Sequence, residues 1–62
     1  MKARIEIDMD GAAFDGTDCG RELARVLRSI ASAAMGGIHE TLELRLRDSN
    51  GNICGRFEIV DE

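Results

Sequence analysis

The chain has 62 residues, of which 44% are hydrophobic and 32% charged, with a net charge of −4 at pH 7. That length makes one domain near the lower limit for independent folding, and the apolar content is too high for a disordered chain. The acidic balance argues against general binding to nucleic acid or anionic membranes, which needs clustered Lys and Arg.

No apolar run approaches the roughly 18 residues of a membrane span, and the opening alternates in polarity where a signal peptide would be apolar. A cytoplasmic protein is therefore expected. Two cysteines, Cys19 and Cys54, fit that compartment as free thiols, because small secreted domains stapled by disulfides usually carry four or more.

The first strand spans Lys2–Asp10. Ala3, Ile5, Ile7 and Met9 point one way, and Lys2, Arg4, Glu6 and Asp8 the other, so one face is expected to be buried and one wet. A Gly- and Asp-rich connection follows, with Phe14 expected to plug the edge of the core. Asp15, Thr17 or Asp18 is positioned to cap the next helix, and carboxylates there suit the positive end of its dipole.

The helix is expected from Cys19 to Met35. Leu23, Val26, Leu27, Ile30 and Ala34 form its apolar stripe, with Cys19 one turn earlier, while Arg21, Glu22, Arg25, Arg28, Ser29 and Ser32 fall on the outer face. Gly36-Gly37 supplies the stop.

The last third reads as a β-hairpin. Leu42, Leu44 and Leu46 alternate with charged residues, as do Ile53, Gly55, Phe57 and Ile59 with Cys54, Arg56 and Glu58, around an Asn50-Gly51 turn signal. A loop of two or four residues sets Leu44 opposite Phe57 and Leu42 opposite Ile59, with Cys54 facing out and Cys19 in. That register places Arg45 against Arg56 and Glu43 against Glu58, offset by diagonal pairing of Arg45 with Glu58 and Glu43 with Arg56.

Residues 1–62 thus make a single α+β domain of β-α-β-β order: one helix on a three-stranded, mainly antiparallel sheet. The most apolar strand, the third, is expected at the centre, with a parallel pairing of the first two strands as the alternative. The core is thin and two sheet edges are open, so a homodimer and a monomer stand as equal expectations, and a small dimeric structural or accessory subunit is an alternative function.

No catalytic, cofactor-binding or metal-binding constellation emerges, and an enzyme is not expected. A calcium loop starting at Asp8 fails, because Ala12, Ala13 and Cys19 fall where a ligand, a glycine and a glutamate are needed. His39 is the sole histidine and has no cysteine beside it in sequence. The outward sheet set of Lys2, Arg4, Glu6, Asp8, Glu43, Arg45, Arg47, Arg56 and Glu58 is mixed in sign and lacks the aromatics that single-strand readers use. A nucleic-acid role would fall to Arg21, Arg25 and Arg28 on the helix or to the sheet arginines.

Chain direction brings the end of the first strand, the start of the helix and the hairpin turn to one pole. That pole collects Asp8, Asp10, Asp15, Asp18 and Asp48, which are the candidate partner-binding residues. Gly36-Gly37, His39, Glu40, Asp61 and Glu62 belong to the opposite pole. An acidic pole can imitate a row of phosphates and occupy a basic groove on a partner protein. The competing explanation is local: acids gather at helix starts and turns.

Three stretches together resemble a group of short proteins encoded by bacteriophages and prophages. They are Arg4-Ile-Glu-Ile-Asp-Met-Asp10 with Ala12-Ala-Phe14, the helix segment Glu22-Leu-Ala-Arg-Val-Leu-Arg28, and Leu46-Arg-Asp-Ser-Asn-Gly-Asn52 with Gly55-Arg-Phe-Glu-Ile59. The resemblance implies a stoichiometric binder of a host protein or defence complex, acting in the host cytoplasm. Anti-CRISPR and other anti-defence inhibitors are similar to the chain in size and charge. It implies no catalytic residue.

Overall fold

Hydrophobic periodicity of two, then about 3.6, then two again produces the elements in that order. The computed structural model describes residues 1–39 and 42–61; the expected positions of Glu40 and Glu62 lie outside the described residues. Strand β1 (Lys2–Ile7) leads through two single 3₁₀ turns, Ala12–Phe14 and Gly16–Asp18, into helix α1 (Cys19–Met35), followed by β2 (Glu43–Arg47) and β3 (Ile53–Val60). The sheet order is β1-β3-β2, with both pairings antiparallel, so the most apolar strand is central.

β1 ends three residues earlier than its alternation suggests. The Asp8 side chain turns back and its Oδ1 accepts the backbone N–H of Asp10 at 2.9 Å, an Asx turn that draws the chain off the sheet. The Asp8 N–H still donates to the carbonyl of Cys54 at 2.6 Å, closing the ladder. Phe14 is buried in the connection, as a plug should be. The capping expectation is not met. Asp18 is the N-cap residue of α1 but makes no side-chain hydrogen bond there, and neither does Asp15 ahead of the preceding turn. The 3₁₀ turn running directly into α1 shapes the helix start instead. At the other end, Gly36 and Gly37 donate to Ala33 and Ala34 at 3.1 Å, and Gly37 takes a φ of 121° that suits glycine.

The hairpin keeps the expected register by an unexpected route. Leu44 lies opposite Phe57, Arg45 opposite Arg56 and Glu43 opposite Glu58, but Arg47 pairs with Ile53. The loop between them, residues 48–52, therefore has odd length, and a β-bulge at Cys54 restores the pairing that an odd loop would shift. The bulge also swaps two side chains relative to the expected alternation: Cys54 is buried at 6% exposure and Ile53 stands out at 49%. Neither diagonal pair, Arg45 with Glu58 or Glu43 with Arg56, closes to an ion pair among the described residues.

Phe14, Val26, Ile30, Leu46, Cys54, Phe57 and Ile59 form the buried core, with Ile7, Ala13, Cys19, Leu23, Leu42 and Leu44 packed around it. Expected core positions on two sides fall outside it. Ile5 and Met9 on the β1 side are 48% and 39% exposed, and Leu27 on the helix is 44% exposed. Phe57 on β3 and Leu46 on β2 are buried where Ile5, paired with Phe57, is not, and Arg25 ties the helix to the β2 end, so cover over the sheet thins toward the middle of β1.

Gly55 marks the tightest crossing. A Cβ there would fall on the carbonyl oxygen of Glu6 and lie 3.0 Å from the Ile7 Cα, so only glycine lets β1 approach. Gly55→Ala is expected to cost about 3 kcal/mol or more. Phe57→Ala is expected to cost about 3–5 kcal/mol, comparable to the entire stability of a chain this size, about 3–9 kcal/mol. Urea denaturation followed by circular dichroism checks both, with Phe57→Ala largely unfolded in buffer.

Candidate functional site

The acids of the predicted pole divide into two kinds. Gly11, at the end of the β1 connection, sits close enough that a Cβ on it would meet Asp48 Oδ2 at 3.5 Å, so the connection and the hairpin turn do share one end of the molecule. Asp8, Asp10, Asp15 and Asp18 are all exposed there. None of the four forms an ion pair with a cation among the described residues.

Asp48 differs from them and is corrected from an exposed partner contact to a buried loop anchor. It is 6% exposed, and its Oδ1 accepts the backbone N–H groups of Asn50 and Asn52, each at 2.9 Å. Its own N–H donates to the Asn52 carbonyl at 2.9 Å, and Gly51 donates to the Asp48 carbonyl at 3.0 Å with a φ of 83°. The carboxylate thus substitutes for water on N–H groups that a tight five-residue loop cannot pair with the ladder.

Glu22 is the second buried acid, although the helical stripe places it on the outer face. It is 8% exposed. Arg25 grips its two oxygens with Nε and Nη2 at 3.1 and 3.0 Å, and the Ser49 N–H donates to Oε2 at 2.8 Å. Arg25 Nη2 also donates to the Arg47 carbonyl at 2.9 Å. The clamp joins one turn of α1 to both sides of the hairpin loop. The Arg25 hydrogen bonds hold the Glu22 carboxyl below the ordinary 4.5, against burial, which acts the other way.

This geometry removes Arg25 from the helix arginine row that a nucleic-acid reading would use, leaving Arg21 and Arg28 exposed. On the open sheet face, a shallow depression is lined by Arg4, Glu6, Arg56 and Glu58. The β1–β3 register sets Arg4 opposite Glu58 and Glu6 opposite Arg56. It is a checkerboard of opposite charges without a nucleophile or an aromatic platform.

Both cysteines are free and both pack on the core, Cys54 buried and Cys19 partly so. Burial pushes the Cys54 thiol up, and the nearby Asp48 carboxylate pushes it the same way, which disfavours the nucleophilic thiolate. His39 is exposed. Among the described residues no three acidic, cysteine or histidine side chains gather into a set that could hold a metal ion, and no helix is long and apolar enough to cross a membrane.

Because the Glu22 carboxyl is lowered in the folded state, the clamp stabilises fully above pH 4.5 and its contribution is lost as pH falls through the lower folded-state value. Glu22→Gln should therefore lower the melting temperature at pH 7 and flatten its dependence between about pH 5 and pH 3. Scanning calorimetry at stepped pH checks this, and equal slopes for the two proteins would disprove the clamp. Iodoacetamide should modify Cys19 well before Cys54 in the folded protein, and both at similar rates in denaturant, as followed by mass spectrometry.

Compared with protein-family models, curated proteins and solved structures, this β-α-β-β chain of 62 residues matches none.

Proposed function

We propose that the chain is a small non-enzymatic protein-binding module that presents Asp8, Asp10, Asp15 and Asp18 to a basic surface on a host protein. The observation carrying this reading is the contrast between the acids. Glu22 and Asp48 are buried and hydrogen-bonded within the fold, whereas the four others stay exposed and pair with no described cation. The helix-capping explanation for Asp15 and Asp18 is weakened, since neither side chain caps a helix.

Carboxylates held at one end of a rigid body steer and orient a basic partner better than the same charges on a flexible tail. The resemblance to short phage and prophage proteins supports a host protein or defence complex as the partner and inhibition by occupancy as the effect. A nucleic-acid role has less support, with Arg25 committed to Glu22 and no exposed aromatic on the sheet.

The test is affinity capture from host lysate with the purified protein and with an Asp10→Lys/Asp15→Lys variant of unchanged circular dichroism. Specific capture at low salt, lost in the variant and weakened at about 0.5 M salt, is the expected result. Capture that survives both changes refutes the acidic surface as the contact.

A further inference from the structure

We infer that β1 is a homodimerisation edge, at which a second copy of this chain adds its own β1 antiparallel across a two-fold axis through Ile5. The β1–β3 ladder sets the first condition. Asp8 N–H bonds to Cys54, so by antiparallel alternation the even-numbered residues of β1 face β3, and the N–H and C=O groups of Ala3, Ile5 and Ile7 point to the free edge. Among the described residues nothing takes up those groups.

The second condition is charge. With Ile5 opposite Ile5 of the second copy, Arg4 faces Glu6, Lys2 faces Asp8 and Ala3 faces Ile7, so every charge on β1 meets its opposite. Sliding the pairing by two sets Arg4 against Arg4 or Glu6 against Glu6, and sliding it by one sets charges against isoleucines. The same register makes Ile5–Ile5 and Ala3–Ile7 hydrogen-bonded pairs, using the outward backbone groups just described. Hydrogen bonding therefore excludes every slide by an odd number of residues, and charge selects this alignment from those that remain.

The third condition is exposed apolar surface beside the strand. Ile5 is 48% exposed on the helix-bearing face, and Leu27 is 44% exposed. Leu27 lies about 200° round the helix from Arg25, whose side chain is tied to the β2 end, so it lies on the flank toward β1. Pairing by β1 yields a six-stranded sheet with both helices on one face and the Ile5 side chains adjacent between them.

The other edge is managed against the same event. On β2, Arg25 occupies the outward Arg47 carbonyl, and a two-fold through Arg45 would set two guanidiniums face to face. The contact thus has one edge to use.

The test is sedimentation of the full chain from about 5 μM to about 1 mM, the range in which a modest interface populates both states. Wild type should reach twice the 6.8 kDa monomer mass. Arg4→Glu should weaken the dimer about tenfold, since two inter-subunit pairs become repulsive. The double variant Arg4→Glu/Glu6→Arg should restore it, although each new charge then meets a like charge on its own β3. Ile5→Lys, at a half-exposed position that tolerates change, should give a folded monomer, and Arg45→Glu should leave the dimer intact. A wild type monomeric throughout, a double variant no better than the single one, or loss of the dimer only with Arg45→Glu would overturn the inference.

Discussion

A carboxylate buried on the hairpin side of the helix decides where the helix lies. Glu22 receives Arg25 from its own helix and Ser49 from the loop, and Arg25 continues to the Arg47 carbonyl at the end of β2. With seven buried apolar side chains among the described residues, packing alone leaves a helix some freedom to slide across a sheet. A bidentate, loop-anchored ion pair narrows that freedom, because moving the helix toward β1 would strand a buried charge. Its lateral position follows, and with it the uncovered flank along Ile5 and Leu27.

The same bond network explains why so acidic a turn region is not uniformly available to partners. Asp48 is occupied with Asn50 and Asn52, and Glu22 with Arg25 and Ser49, so these acids stabilise the fold and offer little charge outward. Asp8 lends one oxygen to a local turn yet stays exposed, and Asp10, Asp15 and Asp18 are likewise exposed. Structural and presentable charge alternate over a short stretch of surface, and residue type alone does not separate them.

The helix limits, the antiparallel order with β3 central and the pairing of Leu44 with Phe57 were all legible from periodicity and from Asn50-Gly51. Each depends on short-range pattern, which the chain carries in its own spacing. The features that escaped depend on contacts between distant segments. Glu22 reads as an outer-face residue because wheel geometry cannot show that a loop 27 positions later supplies an N–H. Asp48 reads as exposed because its partners are backbone groups, which no side-chain pattern reveals. Ile5 and Leu27 read as core because periodicity gives the face of an element but not whether the layer above extends over it. Gly55 carried a signal, a glycine inside a strand pattern, which marks a close backbone approach or a bulge and here accompanies both.

The odd loop and the bulge at Cys54 are two irregularities that cancel. Residues 48–52 displace the register by one, and the unpaired residue in β3 returns it before Gly55 reaches its crossing with Glu6. A one-residue deletion in the turn leaves a four-residue loop between Arg47 and Ile53, and the pairs from Leu46 with Gly55 onward keep Phe57 and Ile59 inside because their burial specifies that register. Length variation in this hairpin is therefore absorbed by the loop between Arg47 and Ile53, and related chains of different length should differ there before they differ in β3.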